Sequence, residues 1–273
     1  MKITTALQRR LKGALFEDVG RGDITSALLI PERAHGTAFI VAKQPGIFCG
    51  QSVLEEVFKA ADSKIKLQFF IKDGSAFRKK NITVKITGPS RSILKAERTA
   101  LNFLGHLCGI ATQAFEFVRE VRQTGVKILD TRKTTPLWRE LEKYAVRTGG
   151  GENHRNGLFD EIFVKENHRI HGDLNRLRAV GGRFEIEVRN MRELSQALAL
   201  HPRVILFDNF SASDLKELVR RVKKNHPNII LEASGGINLK NVKSYAQTGV
   251  DQISIGSLTH SVRAVDFSLL VEK

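Results

Sequence analysis

Cysteines and long apolar runs are scarce in this sequence, and each shortage excludes a class of protein. The two cysteines, Cys49 and Cys108, are too few for a disulfide framework and share no metal-ligand spacing with each other or with a histidine. No run of about 18 apolar residues is present, so no membrane-spanning helix is expected. Residues 1–20 also lack the apolar core of a signal peptide. We therefore expect a cytoplasmic protein with both cysteines as buried free thiols.

Acidic residues are few relative to basic ones. The 273 residues include 44 Lys and Arg against 29 Asp and Glu, a formal net charge of +15. Such a charge suits a protein that binds polyanions, from nucleic acids to phosphorylated metabolites. A basic but well-solvated surface explains the same charge. The charges are spread along the chain, and the dense runs at 78–80 and 220–224 carry no interleaved aromatic residues, which disfavours a nucleic-acid binder.

The first part of the chain has the pattern of a small α+β unit. Leu7, Leu11 and Leu15 lie at helical spacing and predict an opening helix. Short strand-like runs follow, broken by Pro and Gly, at Thr37–Lys43, Ile65–Ile71 and Ile82–Thr87. An apolar stripe then predicts a long helix from about Ser90 to Gln123.

From residue 126 onwards, short apolar strands alternate with amphipathic helices. The predicted strands are Val126–Leu129, Glu161–Val164, Phe184–Val188, Val204–Phe207, Ile229–Leu231 and Gln252–Ile255. The predicted helices lie near 136–147, 191–200, 213–224 and 238–247. This alternation predicts parallel strands with right-handed crossovers. Nearly every strand ends in a polar residue or glycine, which favours a barrel with its site at the strand ends over an open sheet with one ligand crevice.

Two consecutive late strands end in glycine-containing turns that suit phosphate. Ser234-Gly235-Gly236 follows one strand, and Ile255-Gly256-Ser257 follows the next. Glycines let a backbone approach an oxyanion closely, and a helix N-terminus supplies free N–H groups. One such turn is explained by tight geometry alone. Two in succession match the usual phosphate site of a barrel.

Five potential cations cluster at strand ends and in one glycine-rich loop. They are Arg132, Lys133, His154, Arg155 and Lys165. Converging cations repel one another unless an anion belongs between them. Arg suits planar carboxylates and Lys suits phosphate, so the pattern predicts a ligand with several negative charges. We expect His154 to donate hydrogen bonds to that ligand.

Two carboxylates, Glu187 and Asp208, end successive strands within this cationic group. They are candidates for holding Mg²⁺ with a phosphorylated substrate, for binding ribose hydroxyls, or for stabilising a cationic transition state. Salt bridges that merely orient Arg132 and Lys165 are the alternative. Glu232, on the next strand, is equally compatible with a structural role.

The ordered motifs resemble those of the quinolinate phosphoribosyltransferase family over almost the whole chain. The residues that carry the resemblance are Thr131–Pro136, Lys143–Val146, Gly149–Arg155 and Lys165–His168, with further matches at 17–25, 97–102 and 256–261. The resemblance implies an α/β fold in two domains. An N-terminal α/β sandwich would cover residues 1–105, which the C-terminal tail can rejoin, and an incomplete, seven-stranded α/β barrel would cover 106–273. Because six strands are predicted, the missing one is expected near 149–155.

The same resemblance implies an enzyme that joins quinolinate to phosphoribosyl pyrophosphate. The products would be nicotinate mononucleotide, pyrophosphate and CO₂, with Mg²⁺ required, in de novo NAD biosynthesis. It implies a homodimer, or a hexamer built as a trimer of dimers, in which Arg98 reaches the neighbouring site.

The resemblance also implies a role for each candidate residue. The residues implied to bind quinolinate are Arg132, His154, Arg155 and Lys165, with Thr131 beside them. Those implied to bind the sugar donor and its metal are Lys133, Glu187 and Asp208, which are also expected to act in catalysis. The 5′-phosphate would bind to the turns at 234–236 and 255–257.

One departure from the family pattern and three rival functions remain. Leu137-Trp138 stand where the family usually has Gly-Leu. The rivals are a molybdenum-transport-associated paralogue with a different substrate, an enzyme that uses nicotinate without decarboxylation, and a non-enzymatic nucleic-acid binder. The intact Asn153-His154-Arg155 motif favours quinolinate over the first.

Overall fold

The computed structural model describes residues 1–272, which form two compact units. The first contains residues 1–113, 136–150 and 262–272, and the second contains 114–135 and 151–261. The predicted boundary at 105/106 therefore moves to 113/114. The segment 136–150, expected in the barrel domain, belongs to the first unit, and so does the C-terminal tail.

The first unit is built around a four-stranded antiparallel sheet. Its strand order is β12-β1-β5-β3, with β1 at His35–Ala42, β3 at Lys66–Phe69, β5 at Ile82–Pro89 and β12 at Phe267–Val271. The strand β12 pairs with β1 from Ala38 to Ala42, so the C-terminal tail does complete this sheet. The small ribbon of β2 (Gly46–Ile47) and β4 (Ala76–Phe77) is separate from it. The helices are α1 (Thr5–Val19), α2 (Ile24–Leu29), α3 (Gln51–Ala61), the part of α4 (Ser90–Val121) up to residue 113, and α5 (Arg139–Thr148).

The opening helix α1 forms for the reasons that the sequence indicates. Leu7, Leu11 and Leu15 lie on one face and are buried. The Thr4 hydroxyl accepts a hydrogen bond from the backbone N–H of Leu7 and caps the N-terminus. Gly20, with φ at +50°, ends the helix in a conformation that suits glycine.

The second unit contains a parallel six-stranded sheet that provides the barrel wall. The strand order is β6-β11-β10-β9-β8-β7. The strands are β6 (Lys127–Leu129), β7 (Phe163–Val164), β8 (Glu185–Val188), β9 (Val204–Asp208), β10 (Ile230–Ser234) and β11 (Gln252–Ser254). All six predicted strands are confirmed, with shifts of one to three residues at their ends.

A parallel bridge marks the seventh strand position. Leu129 of β6 pairs with Glu152 on its free side, and the backbone N–H of Glu152 donates to Ile128 O at 2.8 Å. The expected strand near 149–155 is thus reduced to one bridging residue. This agrees with the incomplete barrel that the resemblance implies.

The helices of the second unit follow the strands in order. They are α6 (Glu166–His171), a 3₁₀ helix at Leu174–Val180, α7 (Met191–Leu198), α8 (Ala212–Asn225), α9 (Val242–Ala246) and α10 (Ser257–His260). Neither α6 nor the 3₁₀ helix buries a residue, so they leave no apolar periodicity in the sequence and were not predicted. No helix within residues 1–272 has both the length and the hydropathy that crossing a bilayer requires.

Candidate active site

The carboxyl ends of the barrel strands open onto a cavity of about 400 Å³. Its walls are formed by Thr131, Arg132, Lys133, His154, Arg155, Phe163, Lys165, Glu187, Leu206, Asp208, Ser234 and Ser254. The predicted cations, both predicted carboxylates, Thr131 and Ser234 are thus brought together. Strand register explains part of this, because Asp208 lies beside Ser234 on adjacent parallel strands.

The two glycine turns lie beside this cavity. A Cβ on Gly256 would come within 3.1 Å of the Lys133 side chain, so the absence of a side chain there lets Lys133 pack against the turn. Gly235 has φ at +92° and sits against Asn209, the residue after Asp208. Ser257 begins α10 directly after Gly256, as expected.

The helix expected directly after Gly236 begins later than predicted. Helix α9 starts at Val242, because the side chains of Asn238 and Asn241 donate to Gly236 O and hold the intervening residues in turns. The 234–236 turn therefore offers its own backbone to a ligand, without a helix N-terminus directly behind it.

Phe163, which the sequence reasoning missed, organises the cationic side of the cavity. The His154 ring stacks on it with centroids 5.6 Å apart. The Arg155 guanidinium lies 4.9 Å and the Lys165 ammonium 4.4 Å from the ring centroid. Both cations are thus held by the π face of one buried aromatic ring. Its signal in the sequence is an aromatic residue two positions before a strand-end lysine.

The two strand-end carboxylates lie close to each other and to Lys165. Lys165 Nζ is 3.0 Å from Glu187 Oε2. Burial and the charge of Glu187 raise the pKa of Asp208, while Lys165 and Lys133 act in the opposite direction. Two neighbouring carboxylates with partial cation compensation form a hard oxygen donor set that suits a divalent cation.

A second pair of carboxylates is buried in the barrel interior next to the cavity. Glu185 of β8 is 1% exposed and Glu232 of β10 is 0% exposed. Burial raises the pKa of Glu185 to about 8 and that of Glu232 to about 7. The sequence pattern predicts no role for Glu185, although its spacing of two from Glu187 places both on the interior face of β8.

His154 joins this buried pair to the cavity. Its Nε2 is 3.1 Å from Glu185 Oε2 and 3.6 Å from Glu232 Oε1. Its Nδ1 accepts the backbone N–H of Arg155 at 2.8 Å, and its own backbone N–H donates to Asp130 Oδ1. His154, Glu161 and Glu185 also have ligand atoms within 4.8 Å of one another, but Glu161 is already paired with Arg203.

Arg98 lies on α4 in the first unit and is exposed. Of the remaining predicted residues, Ile255 and Gly256 continue from β11, whose Ser254 reaches the cavity wall.

Comparison with known proteins identifies the family. The quinolinate phosphoribosyl transferase N-terminal domain matches residues 23–108, and the C-terminal domain matches 110–270. A probable carboxylating nicotinate-nucleotide pyrophosphorylase of Bacillus subtilis is 40% identical over 272 residues, covering 96% of this chain and 92% of the relative. The carboxylating nicotinate-nucleotide pyrophosphorylase of Mycobacterium leprae is 39% identical, covering 97% and 96%.

The chain is also similar in fold to solved structures of nicotinate-nucleotide pyrophosphorylases. The nicotinate-nucleotide pyrophosphorylase of Francisella tularensis has a TM-score of 0.90 at 38% identity, covering 98% of this chain and 96% of that one. The nicotinate-nucleotide pyrophosphorylase of Ehrlichia chaffeensis has a TM-score of 0.91 at 36% identity, with both chains fully covered. From its barrel, its strand-end cavity and these matches, the chain belongs to the quinolinate phosphoribosyl transferase family.

Proposed function

We propose that this protein transfers the phosphoribosyl group of phosphoribosyl pyrophosphate to quinolinate, with loss of CO₂. The reaction gives nicotinate mononucleotide and pyrophosphate in de novo NAD biosynthesis. The observation that carries the proposal is the cavity, in which four Arg and Lys side chains face two carboxylates at the strand ends of a barrel in this family. The names of the relatives support this reaction over the molybdenum-transport-associated alternative.

The dicarboxylate binds on the side of the cavity that Phe163 organises. Arg132 and Arg155 present planar forks that suit carboxylates, and Lys165 supplies a point charge. His154 belongs to the same group. A substrate with one carboxylate fewer would leave part of this positive charge uncompensated, which favours quinolinate over nicotinate.

The sugar donor binds on the opposite side. Lys133 neutralises the pyrophosphate, and Thr131 lies beside it in the cavity wall. The turns at Ser234–Gly236 and Ile255–Ser257 offer backbone N–H groups to the 5′-phosphate. Lys133 is fixed for this role, because the Thr259 hydroxyl donates to its carbonyl at 2.7 Å.

Glu187 and Asp208 are the residues that would hold Mg²⁺ together with the sugar donor. The fit follows from their oxygen donors and from the pKa of Asp208, which is raised by burial and then by the charge of Glu187. When bound, the metal would neutralise charge on the leaving pyrophosphate.

The chain's own residues act mainly by placing charges. The pyridine nitrogen of quinolinate displaces pyrophosphate at the anomeric carbon, through a transition state with positive charge on the sugar. Glu187 and Asp208 stabilise that charge, and Lys133 stabilises the departing phosphate. The quaternised ring nitrogen then stabilises the carbanion left when the 2-carboxylate departs as CO₂, and this carbanion takes a proton from solvent to give nicotinate mononucleotide. Arg132, Arg155 and Lys165 hold the ring in place throughout.

We also propose that the working form is at least a homodimer, with a trimer of dimers as the larger option, in the cytoplasm. Arg98 is exposed on α4, as a residue that reaches a neighbouring subunit's site must be. On α2, Ile24 and Leu28 are 84% and 83% exposed, which suits burial against a second subunit. Light scattering coupled to gel filtration tests the assembly, and a single-subunit mass for the active enzyme would contradict it.

The site assignment is tested by separating the two substrates kinetically. Arg132→Ala removes a quinolinate cation, and Lys133→Ala removes a sugar-donor cation from the adjacent position. We expect Arg132→Ala to raise KM for quinolinate and Lys133→Ala to raise KM for phosphoribosyl pyrophosphate, each by about tenfold or more, as loss of a charged hydrogen bond worth ~1.5–3 kcal/mol implies. Equal effects of both variants on both substrates would contradict the assignment.

A further inference from the structure

The barrel interior beside the cavity holds two carboxylates to which the proposed substrate contacts give no role. Glu185 and Glu232 are at most 1% exposed and do not line the cavity. Such barrels are normally filled with branched apolar side chains. Burial of a carboxylate is unfavourable unless it is paired and hydrogen-bonded. Two of them in one interior therefore point to a role in the adjacent site.

His154 is the link between these carboxylates and the cavity. Its Nε2 lies 3.1 Å from Glu185 Oε2 and 3.6 Å from Glu232 Oε1. Its Nδ1 accepts the backbone N–H of Arg155. A neutral imidazole that accepts at Nδ1 carries its proton on Nε2. That proton is therefore directed at the buried carboxylates.

The His154 ring and two cations pack against the same aromatic side chain. Phe163 stacks on His154, and the charged groups of Arg155 and Lys165 lie over the Phe163 ring. Strand register places Phe163 directly beside Glu185 on the adjacent strand. Glu185, His154 and Phe163 thus form one packed cluster behind the cations assigned to quinolinate.

Hydrogen bonds with flanking residues also hold this cluster in place. The Gln252 side-chain amide donates to Glu232 Oε2 at 2.5 Å, and Asp130 Oδ1 accepts the backbone N–H of His154 at 2.9 Å. Asp130 is itself fully buried. With the Arg155 backbone N–H donating to Nδ1 and the Glu185 carboxyl group at Nε2, the ring has one favoured tautomer and one favoured orientation.

We propose that Glu185 is a positioning residue for quinolinate recognition, accepting the Nε2 proton of His154 and thereby holding Arg155 in its binding orientation, with Glu232 as a second buried carboxyl group 3.6 Å from the same nitrogen. This inference rests on the proposed assignment of quinolinate to Arg132, Arg155 and Lys165. Under it, His154 connects the buried carboxylates to the cationic side of the cavity.

Selective damage to quinolinate binding is the expected signature. Glu185→Leu removes the acceptor with little change of volume. We expect KM for quinolinate to rise by about tenfold, as loss of a buried hydrogen bond at a binding site implies, while KM for phosphoribosyl pyrophosphate changes less than about twofold. Glu185→Gln keeps an acceptor oxygen and should restore most of the quinolinate affinity.

A double-mutant cycle tests whether Glu185 acts through His154. His154→Phe preserves the stack on Phe163 but has no ring N–H. We expect it to match Glu185→Leu, and the double variant to be no worse than either single one, because both remove the same interaction. The matched control is Ile186→Val, buried on the same strand, which should lower the melting temperature without changing either KM. If Glu185→Leu does not fold, Glu185→Met, which also lacks an acceptor oxygen, replaces it in the cycle.

Arg155→Ala separates this inference from the proposed function beneath it. If Arg155→Ala leaves KM for quinolinate unchanged, the substrate assignment itself is wrong. If Arg155→Ala raises it but Glu185→Leu and His154→Phe do not, the assignment stands and the positioning role is overturned. Additive effects in the cycle, or equal loss of affinity for both substrates, would likewise overturn it.

Discussion

At the scale of single residues, the structure explains the departure at Leu137-Trp138. Leu137 has φ at +68°, a left-handed conformation that is easy for glycine and unfavourable for a side chain with a Cβ. The family's usual glycine fits this backbone directly. Trp138 compensates, because its ring packs edge-on against Phe103 with centroids 4.9 Å apart and lies under the Arg10 guanidinium.

The strain at Leu137 gives a prediction about stability. The side chain is 72% exposed, so little burial is lost on substitution. We expect Leu137→Gly to leave the free energy of unfolding nearly unchanged, since relief of strain offsets the added flexibility of the unfolded chain. Leu137→Val should lower it by about 1 kcal/mol, because a β-branched residue tolerates this conformation poorly. Urea denaturation of both variants measures the difference, and the reverse order would contradict it.

The functional residues at strand ends could be predicted from the sequence, whereas the buried residues that hold them in place could not. Arg132, Lys165 and Asp208 stand out because a charged residue follows an apolar run. Glu185 and Phe163 lie inside such a run, where a sequence pattern indicates only strand and burial. Their roles depend on the pairing of β7 with β8, which brings together residues more than twenty positions apart.

At the scale of elements, the buried strands were predicted well and the exposed connections were not. Each barrel strand is an apolar run between turn residues, so its position follows from composition. The start of α9 depends on side-chain hydrogen bonds from Asn238 and Asn241. Residues 136–150 belong to the first unit because of tertiary contacts, and such contacts leave no local sequence pattern.

Helix α4 provides an element-level prediction through its glycines. A Cβ on Gly105 would lie 2.6 Å from the carbonyl oxygen of Val265, in the segment that leads to β12. We expect Gly105→Ala to displace this segment, lower the melting temperature and increase proteolysis near the C-terminus. Gly13→Ala on α1 is the matched control. No atom would lie within 4 Å of its new Cβ, so it should stabilise by up to ~1 kcal/mol. Similar melting temperatures for the two variants would contradict this account.

At the scale of the whole molecule, the buried carboxylates predict how stability depends on pH. Glu185 and Glu232 have pKa values of about 8 and about 7 when folded, against an ordinary value of 4.5. Between pH 4.5 and 8 the folded protein therefore binds more protons at these sites than the unfolded chain. Their contribution to the free energy of unfolding falls as pH rises through this window, and is constant above it.

Glu232→Gln removes one of these ionisations and tests the dependence. We expect the decline in melting temperature between pH 5 and 8 to be shallower in Glu232→Gln than in the wild type. Glu217→Gln, at an exposed position on α8 paired with Arg220, should keep the wild-type slope. Parallel curves for the wild type and Glu232→Gln would show that Glu232 does not titrate in this window.

The catalytic claim for the whole molecule is tested most directly by product stoichiometry. Quinolinate labelled in its 2-carboxyl group is mixed with the purified protein, phosphoribosyl pyrophosphate and Mg²⁺. The labelled CO₂ and the pyrophosphate are each quantified in the same reaction. We expect equal amounts of the two products, neither product when either substrate is omitted, and no pyrophosphate when nicotinate replaces quinolinate. Pyrophosphate released from nicotinate without CO₂, or no product from quinolinate, would contradict it.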